Sequence, residues 1–493
     1  MPATLTTMTT MAMLLAARLA LAPAAGPAAP ADVTAHHLDA EPNADAEPDP
    51  DADPDPDPDA DSGPDPDSDA DPDADADPEP DPDLAAEPVP DPEPTREPVP
   101  APAPAPAVAP GPAAASDADA TGFLIEHNPG QGVRIKSRDG NFSMQTWLRA
   151  QVRDTVVQDR AAMPSLSQTV ELRRVGLFFA GNVFGPHIKY FTQFVFAPRD
   201  IGLQGGHVTQ SPIFDAFFNF DRLRDLSVRV GQYKPFFSRQ FNAAWGDLEL
   251  VDRSIVQNEF HRERDVGIDL YSNDLGGIDR LRYMVGVHAG QGRNSVDPRA
   301  FRMNYVARFE VLPLGTFDDY VEADIQHHPT PKLALGAAYA YSDHMARDRG
   351  VFGDVPADGG TTNAHAIAAD AIFKLRGFST LAEFHWRHGT RVPGTALDDM
   401  GMRIPTAAPR NGLGWFAQAS YVFAPVPIGL AARGGQIIGQ GQTALATTNE
   451  LGGGPSWYVH GHALKLQADY FHTWTGDIQH GANQVRLQLQ VAI

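Results

Sequence analysis

Apolar residues return on every second position through most of the chain beyond about residue 121. From Phe142 to Arg153 one face carries Phe142, Met144, Thr146, Leu148, Ala150 and Val152. The other carries Ser143, Gln145, Trp147, Arg149, Gln151 and Arg153. Successive side chains of a β-strand point to opposite faces, so this pattern predicts a strand with one apolar and one wet side. Phe378 to Arg387 repeats it, with Phe378, Thr380, Ala382, Phe384 and Trp386 against Ser379, Leu381, Glu383, His385 and Arg387. Strands are predicted near 142–153, 170–183, 187–196, 213–220, 226–234, 264–272, 280–289 and 301–311. The series continues near 319–326, 332–342, 364–376, 378–388, 414–424, 427–437, 460–472 and 483–493. These sixteen segments are punctuated by turn residues such as Gly276-Gly277, Pro329 to Pro331 and Asp358-Gly359-Gly360. The stretches 235–263, 343–363, 389–413 and 438–457 lack alternation and are expected as long loops. Short turns at one rim and long loops at the other is the arrangement of an outer-membrane barrel.

The apolar faces end in aromatics, as interface girdles would: Tyr339 and Tyr341 on one segment, Tyr421 and Phe423 on another. The last segment sets Val485, Leu487, Leu489, Val491 and Ile493 against Arg486, Gln488 and Gln490. Such a terminal strand is the form that barrel-assembly machinery reads, although the usual final residue is aromatic. A soluble sandwich also alternates, but it usually has seven to nine strands in about 100 residues. Sixteen strands would need two sandwiches, and no linker divides 121–493. The expected fold class is therefore all-β: a transmembrane antiparallel β-barrel of about 16 strands in outer-membrane lipid, preceded by a disordered Pro/Asp-rich segment. No stretch after the N-terminus approaches 18 consecutive apolar residues, so a helical span is excluded.

The formal charge of −25 belongs to the N-terminal part. Residues 1–120 hold 28 of the 63 acidic and only 2 of the 38 basic residues, leaving 35 acidic against 36 basic in 121–493. Residues 1–25 read as a signal peptide, with an apolar run from Met11 to Ala22 and a small-residue site at Ala22-Pro23-Ala24, though no basic residue precedes Arg18. Residues 26–121 form an Asp/Pro/Ala-rich linker, as in Asp53-Pro54-Asp55-Pro56-Asp57-Pro58, where proline blocks helix and like charges repel. It should stay extended, with an upper reach of roughly 220 Å from Glu41 to Pro112 at about 3.1 Å per residue. Calcium loops usually need a glycine for their turn. Gly63 is the only one between Asp45 and Asp91, which favours a solvated polyelectrolyte over a calcium site. The barrel is expected over 122–493. The chain has no cysteine, hence no disulfide framework.

Three stretches carry a family resemblance: Leu172-Arg173-Arg174-Val175-Gly176-Leu177 followed by Gly181; Leu226 to Phe236, read Leu-Ser-Val-Arg-Val-Gly-Gln-Tyr-Lys-Pro-Phe; and Asp252-Arg253-Ser254 leading to Arg264-Asp265-Val266-Gly267. In order and spacing they resemble the phosphate-selective porin O/P family of Gram-negative outer membranes, loosely over about 123–493. The resemblance implies a sixteen-stranded barrel, a homotrimer, and a constriction lined by basic residues. Two departures stand out. The Pro-Asp tract occupies the place of a coiled-coil segment, and the barrel has only six lysines where better-known phosphate channels use lysine at the constriction.

Strand phase points Arg149, Arg153, Arg174, Arg229, Lys374, Arg387, Lys465 and Arg486 inward. Charge facing lipid at mid-bilayer costs about 2–4 kcal/mol, which supports that assignment. Lys234 is expected near the pore mouth or fixing a turn, Pro235 to end its strand, and Gly231 to let backbone approach the wall. These nine cations are the candidate anion-binding residues of the pore; arginine can donate two bonds to one oxyanion. The competing reading pairs them with lumen carboxylates such as Glu383 and Asp469. His385-Trp386-Arg387-His388 and His460-Gly461-His462 lack a third metal ligand in view, and no hydrolase, phosphate-loop or zincin motif is present, so no cofactor, metal or catalysis is expected. Basic residues are dispersed rather than clustered, which argues against nucleic acid. The expected function is a channel for small anions, phosphate or polyphosphate first. A general porin, or a surface adhesion or scaffold protein on an acidic stalk, are the alternatives.

Overall fold

The computed structural model describes residues 122–160, 165–204, 207–294 and 301–493. The expected signal peptide and linker lie outside them. Among the described residues, no helix is long and apolar enough to cross a membrane. The strands are β1 (Phe123–Asn128), β2 (Gly132–Ser137), β3 (Ser143–Asp159), β4 (Ser165–Asn182), β5 (Ile188–Val195), β6 (Leu203–Gln204), β7 (His207–Val208), β8 (Ile213–Leu223), β9 (Leu226–Tyr233) and β10 (Asp265–Ser272). They continue with β11 (Leu281–His288), β12 (Met303–Val311), β13 (Lys332–Met345), β14 (Thr361–Leu375), β15 (Phe378–Val392), β16 (Gly412–Val422), β17 (Ile428–Gly439), β18 (Thr448–His462), β19 (Leu464–Trp474) and β20 (Ala482–Ala492). Strands β3 to β5 and β8 to β20 pair antiparallel with their neighbours, and β20 returns to pair with β3, from Ala482 opposite Asp159 to Ala492 opposite Arg149. That closure makes a sixteen-stranded barrel with no free edge. The hairpin of β1 and β2, which alternation did not predict, extends the start of β3.

The burial pattern is inverted relative to a soluble protein. Val152 is 46% exposed beside Gln151 at 1%, and Leu489 is 44% exposed beside Gln488 at 1%. Apolar side chains cover the outside while Gln, Arg, Asp and Glu fill the inside, so the outer face is solvated by hydrocarbon. Exposed Tyr305, Tyr339, Trp415, Tyr421 and Trp457 belong to that outer band.

Two predicted elements need correction. Residues 319–326 are not a strand: they lie in the connection 312–331, which folds into the barrel and buries Asp319, Glu322, Ala323 and Asp324. Their alternation is one of sequence only: Glu322, Ala323 and Asp324 are buried in succession, with both faces of the segment covered. The predicted loop 438–457 instead contains most of β18. Its Gly452-Gly453-Gly454-Pro455 run reads as a turn, yet a Cβ on each glycine would stand 2.0–2.3 Å from a carbonyl oxygen of a neighbouring strand. Pro455, which has no N–H, sits where the ladder to β19 is interrupted between Gly453 and Ser456. One strand lost and one gained leaves the count at sixteen.

The second infolding is 234–264, between β9 and β10, which carries the short helices Arg239–Asn242 and Ile255–Phe260. Small inward residues receive it. Phe237 packs on Ala338, Ala340, Ala366 and Ala368, and Val256 and Phe260 pack on Ala334, Ile372, Leu381 and Phe416. A Cβ on Gly414 would stand 2.7 Å from the Phe260 ring. The two infolded segments meet: Gln240 Nε2 donates to Glu322 at 2.9 Å, the Glu249 amide donates to Glu322 at 2.9 Å, and Arg239 reaches Asp319.

Candidate functional site

All nine sequence-selected cations lie on the lumenal side or on the infolded loop, but they have different partners. Five fasten the infolded segments. Arg153 donates to Asp252 at 2.7 Å and to the Val251 carbonyl at 2.8 Å. Lys465 donates to the Leu248 carbonyl at 2.7 Å, and Lys374 to the carbonyls of Asp318 and Ala323 at 2.9 and 3.2 Å. Arg387 pairs with Glu259, and Arg486 forks onto Asp469, whose other bond takes the Val251 amide. Arg229 stands among Phe217, Tyr233, Phe236 and Tyr271, 4.6–5.2 Å from their ring centres, and donates to Asn219.

The remaining three gather around Trp245. Arg149 and Arg174 lie 5.4 and 5.7 Å from its ring centre, and Lys234 caps the Phe241 carbonyl at 2.6 Å close by. Arg174, Lys234 and Trp245 line a chamber of about 400 Å³ between the loop and the wall made by β4 and β8. Its cations are Arg173, Arg174, Arg199, Lys234, Arg253 and Arg264, against the carboxylates Asp200, Asp252 and Glu263. Above it a vestibule of about 750 Å³ shares Arg199, Asp200, Phe214 and Glu263 with the chamber. A third space of about 600 Å³ is lined by Asp247, Asp318, Asp319 and Arg282.

A β-bulge creates the cation pair of the chamber. Gln151 stands opposite Arg174 but Val152 stands opposite Leu172, so Arg173 is an extra residue in β4. Strict alternation would send Arg173 into lipid; the bulge lets both consecutive arginines face the lumen. Arg173 has only long-range partners there, Asp200 at 3.6 Å and Glu171 at 3.9 Å, and its Nε and Nη1 are buried without a hydrogen bond. The sequence signal was available. The outward apolar phase runs on even positions at Val170 and Leu172 and on odd positions at Val175, Leu177 and Phe179.

The other chamber cations are less free. Arg264 grips Asp215 through two 3.0 Å bonds, and Arg253 donates to the carbonyls of Gln240 and Ala243. Burial, reinforced by Arg253 and Arg264, pushes the Lys234 ammonium well below its ordinary value. Burial opposes ionisation of Asp252, but Arg153, Arg173 and Arg174 hold its carboxyl well below the usual range. Gly231 has φ +139, and a Cβ there would stand 2.2 Å from the Ala216 carbonyl: it lets β8 approach. His385 faces inward against Glu383 while His388 faces outward, so that pair does not converge.

No curated protein matches the sequence. Solved structures align with the chain at low identity. An anion-selective porin from Comamonas acidovorans aligns at 11% identity over 71% of this chain and 100% of its own, with TM-score 0.46. The outer membrane channel DcaP of Acinetobacter baumannii aligns at 12% over 73% and 99%, TM-score 0.45. A loop-deletion mutant of OmpT, an outer membrane protein of Vibrio cholerae, aligns at 8% over 72% and 100%, TM-score 0.47. The family model "phosphate-selective porin O and P" matches residues 148–493, nearly the whole barrel. With its closed barrel and lipid-facing outer wall, the chain belongs to the phosphate-selective porin O and P family and is a channel of the Gram-negative outer membrane.

Proposed function

We propose that this channel passes small anions, with phosphate-sized oxyanions preferred, through the chamber beside Trp245. The observation that carries the reading is the bulge at Arg173, which sets two adjacent guanidinium groups on the lumen with no close carboxylate on Arg173. Six cations against three carboxylates raise the local anion concentration, and with nearest carboxylates 3.6–3.9 Å away the charges of Arg173 and Arg174 are only loosely compensated. A guanidinium can hold a phosphate oxygen pair, while several loose sites in series allow release. Vestibule and chamber share lining residues, so a short polyphosphate could occupy both. The five loop-fastening cations are less suited to this role, because their donors hold the loop or a wall carboxylate. A homotrimer, export through a cleaved signal peptide and a spacer role for the Asp/Pro tract belong to the same proposal.

Planar-bilayer reversal potentials in a potassium chloride gradient, with and without added phosphate, test the reading. Anion preference and phosphate block are expected in the wild type, and both should weaken in Arg173→Ala. Cation preference, or a block equal in both proteins, would overturn it.

A further inference from the structure

Arg262 is buried in the infolded loop, and no carboxylate pairs with it among the described residues. Its Nη1 donates to Ser342 Oγ at 2.6 Å, and that hydroxyl in turn donates to Asn304 Oδ1 at 3.2 Å. Its Nε and Nη2 are buried with no partner. The side chain lines a small pocket of about 20 Å³ together with Arg347, Arg349, Arg387 and Arg410. Every carboxylate that reaches these groups is already shared. Glu259 holds both Arg387 and Arg410, and Asp348 stands 3.8 and 3.7 Å from Arg349 and Arg410. Three of the five guanidinium groups therefore share two carboxylates; Arg347 bonds the Gly353 carbonyl instead, and Arg262 meets neither carboxylate.

We propose that this cavity binds one small monovalent anion of chloride size, held by Arg262, which fastens the root of the infolded loop to β13–β16. An uncompensated buried charge is among the most costly features a fold can carry, and water would satisfy the donors without supplying the charge. Burial, with the like charge of Arg387, pushes the Arg262 guanidinium down to about 9, still charged at neutral pH. Size selects the anion. One water needs about 10–15 Å³ on this measure, so the pocket is matched to a single halide and is tight for a tetrahedral oxyanion. The site borders the vestibule, with which it shares Arg347 and Gly350, while Arg262 itself lines neither vestibule nor chamber; its neighbours His261, Glu263 and Arg264 line the chamber. Halide binding would thus set how firmly the wall of the path is held.

Crystals of the full chain soaked in sodium bromide provide the direct test. An anomalous peak within hydrogen-bond reach of Arg262 Nε and Nη2 is expected in the wild type and not in Arg262→Gln. In detergent, the folded barrel should persist roughly tenfold longer at denaturing temperature in chloride at about ten times its dissociation constant than in gluconate of equal ionic strength. Arg262→Gln should lose that difference. A cavity holding only water, or equal lifetimes of the wild type in the two salts, would overturn the proposal. Both decisive measurements use the wild type, so a misfolding variant does not blunt them.

Discussion

Arg239 is the clamp between the two infolded segments, and its removal should loosen both. The guanidinium is 1% exposed, donating from Nε to Asp370 at 2.6 Å, from Nη2 to Glu310 at 3.2 Å, and from Nη1 to Asp319. Arg308 also serves Glu310 and Asp370, and Arg282 also serves Asp319. Arg239→Ala therefore leaves three carboxylates facing two arginines. Breaking a buried ion pair costs about 3–5 kcal/mol. The two remaining arginines place the loss near the lower end, about 3 kcal/mol, which raises the equilibrium for loop release roughly 150-fold. Single-channel recordings at neutral pH should change from one quiet level to frequent excursions of higher conductance. The double variant Arg239→Ala, Asp370→Ala should regain part of the loss, because it also removes a stranded carboxylate. A single variant with wild-type noise and thermal stability, or a double variant worse than the sum of its parts, would refute the clamp.

The other predictions concern charge. Arg173→Ala removes a chamber cation but no fastening bond, so the barrel should keep its stability while the preference for anions falls about fivefold, for roughly 1 kcal/mol of charge interaction at 4 Å in a watery lumen; reversal potentials read it. Lys234 loses its proton below the ordinary lysine range because of burial and its arginine neighbours, so anion preference should fall as pH rises through that lowered value, and Lys234→Met should abolish the step. Glu249 is buried beside Glu322, and these two causes, in that order, push its carboxyl up to about 7. Its folded form therefore holds a proton that the unfolded chain has released between the ordinary value of 4.5 and about 7. Stability falls as pH rises through that window, by on the order of 3 kcal/mol at pH 8 relative to pH 4, and Glu249→Gln should flatten the profile in heat-migration assays.

The sheet was readable because lipid enforces period two: an outward charge costs about 2–4 kcal/mol, so Phe378 to Arg387 and Val485 to Ile493 could hardly hide their phase. The lumen enforces no such rule. An inward arginine there can face an anion path or hold a carbonyl of the loop, and one-dimensional phase cannot distinguish Arg174 from Arg153. The infolded 319–326 reads as a strand for a related reason: Val321, Ala323 and Ile325 alternate with Glu322 and Asp324 in sequence, yet inside the lumen Glu322, Ala323 and Asp324 are all buried, because polar and apolar side chains alike find partners there. What could have been read was the interruption of phase. Apolar positions switch from even to odd across Arg173-Arg174, and such a switch inside a lipid-facing strand requires an extra residue, since the alternative is a charge in hydrocarbon. The run of inward Ala334, Ala338, Ala340, Ala364, Ala366 and Ala368 is a second such sign. A watery wall has no use for small apolar side chains, so their presence implies something folded against them, and the loop carrying Phe237 occupies that place. The proposed route for solute follows from this: the flank where inward positions stay long and charged, along β4 and the first turn after β9.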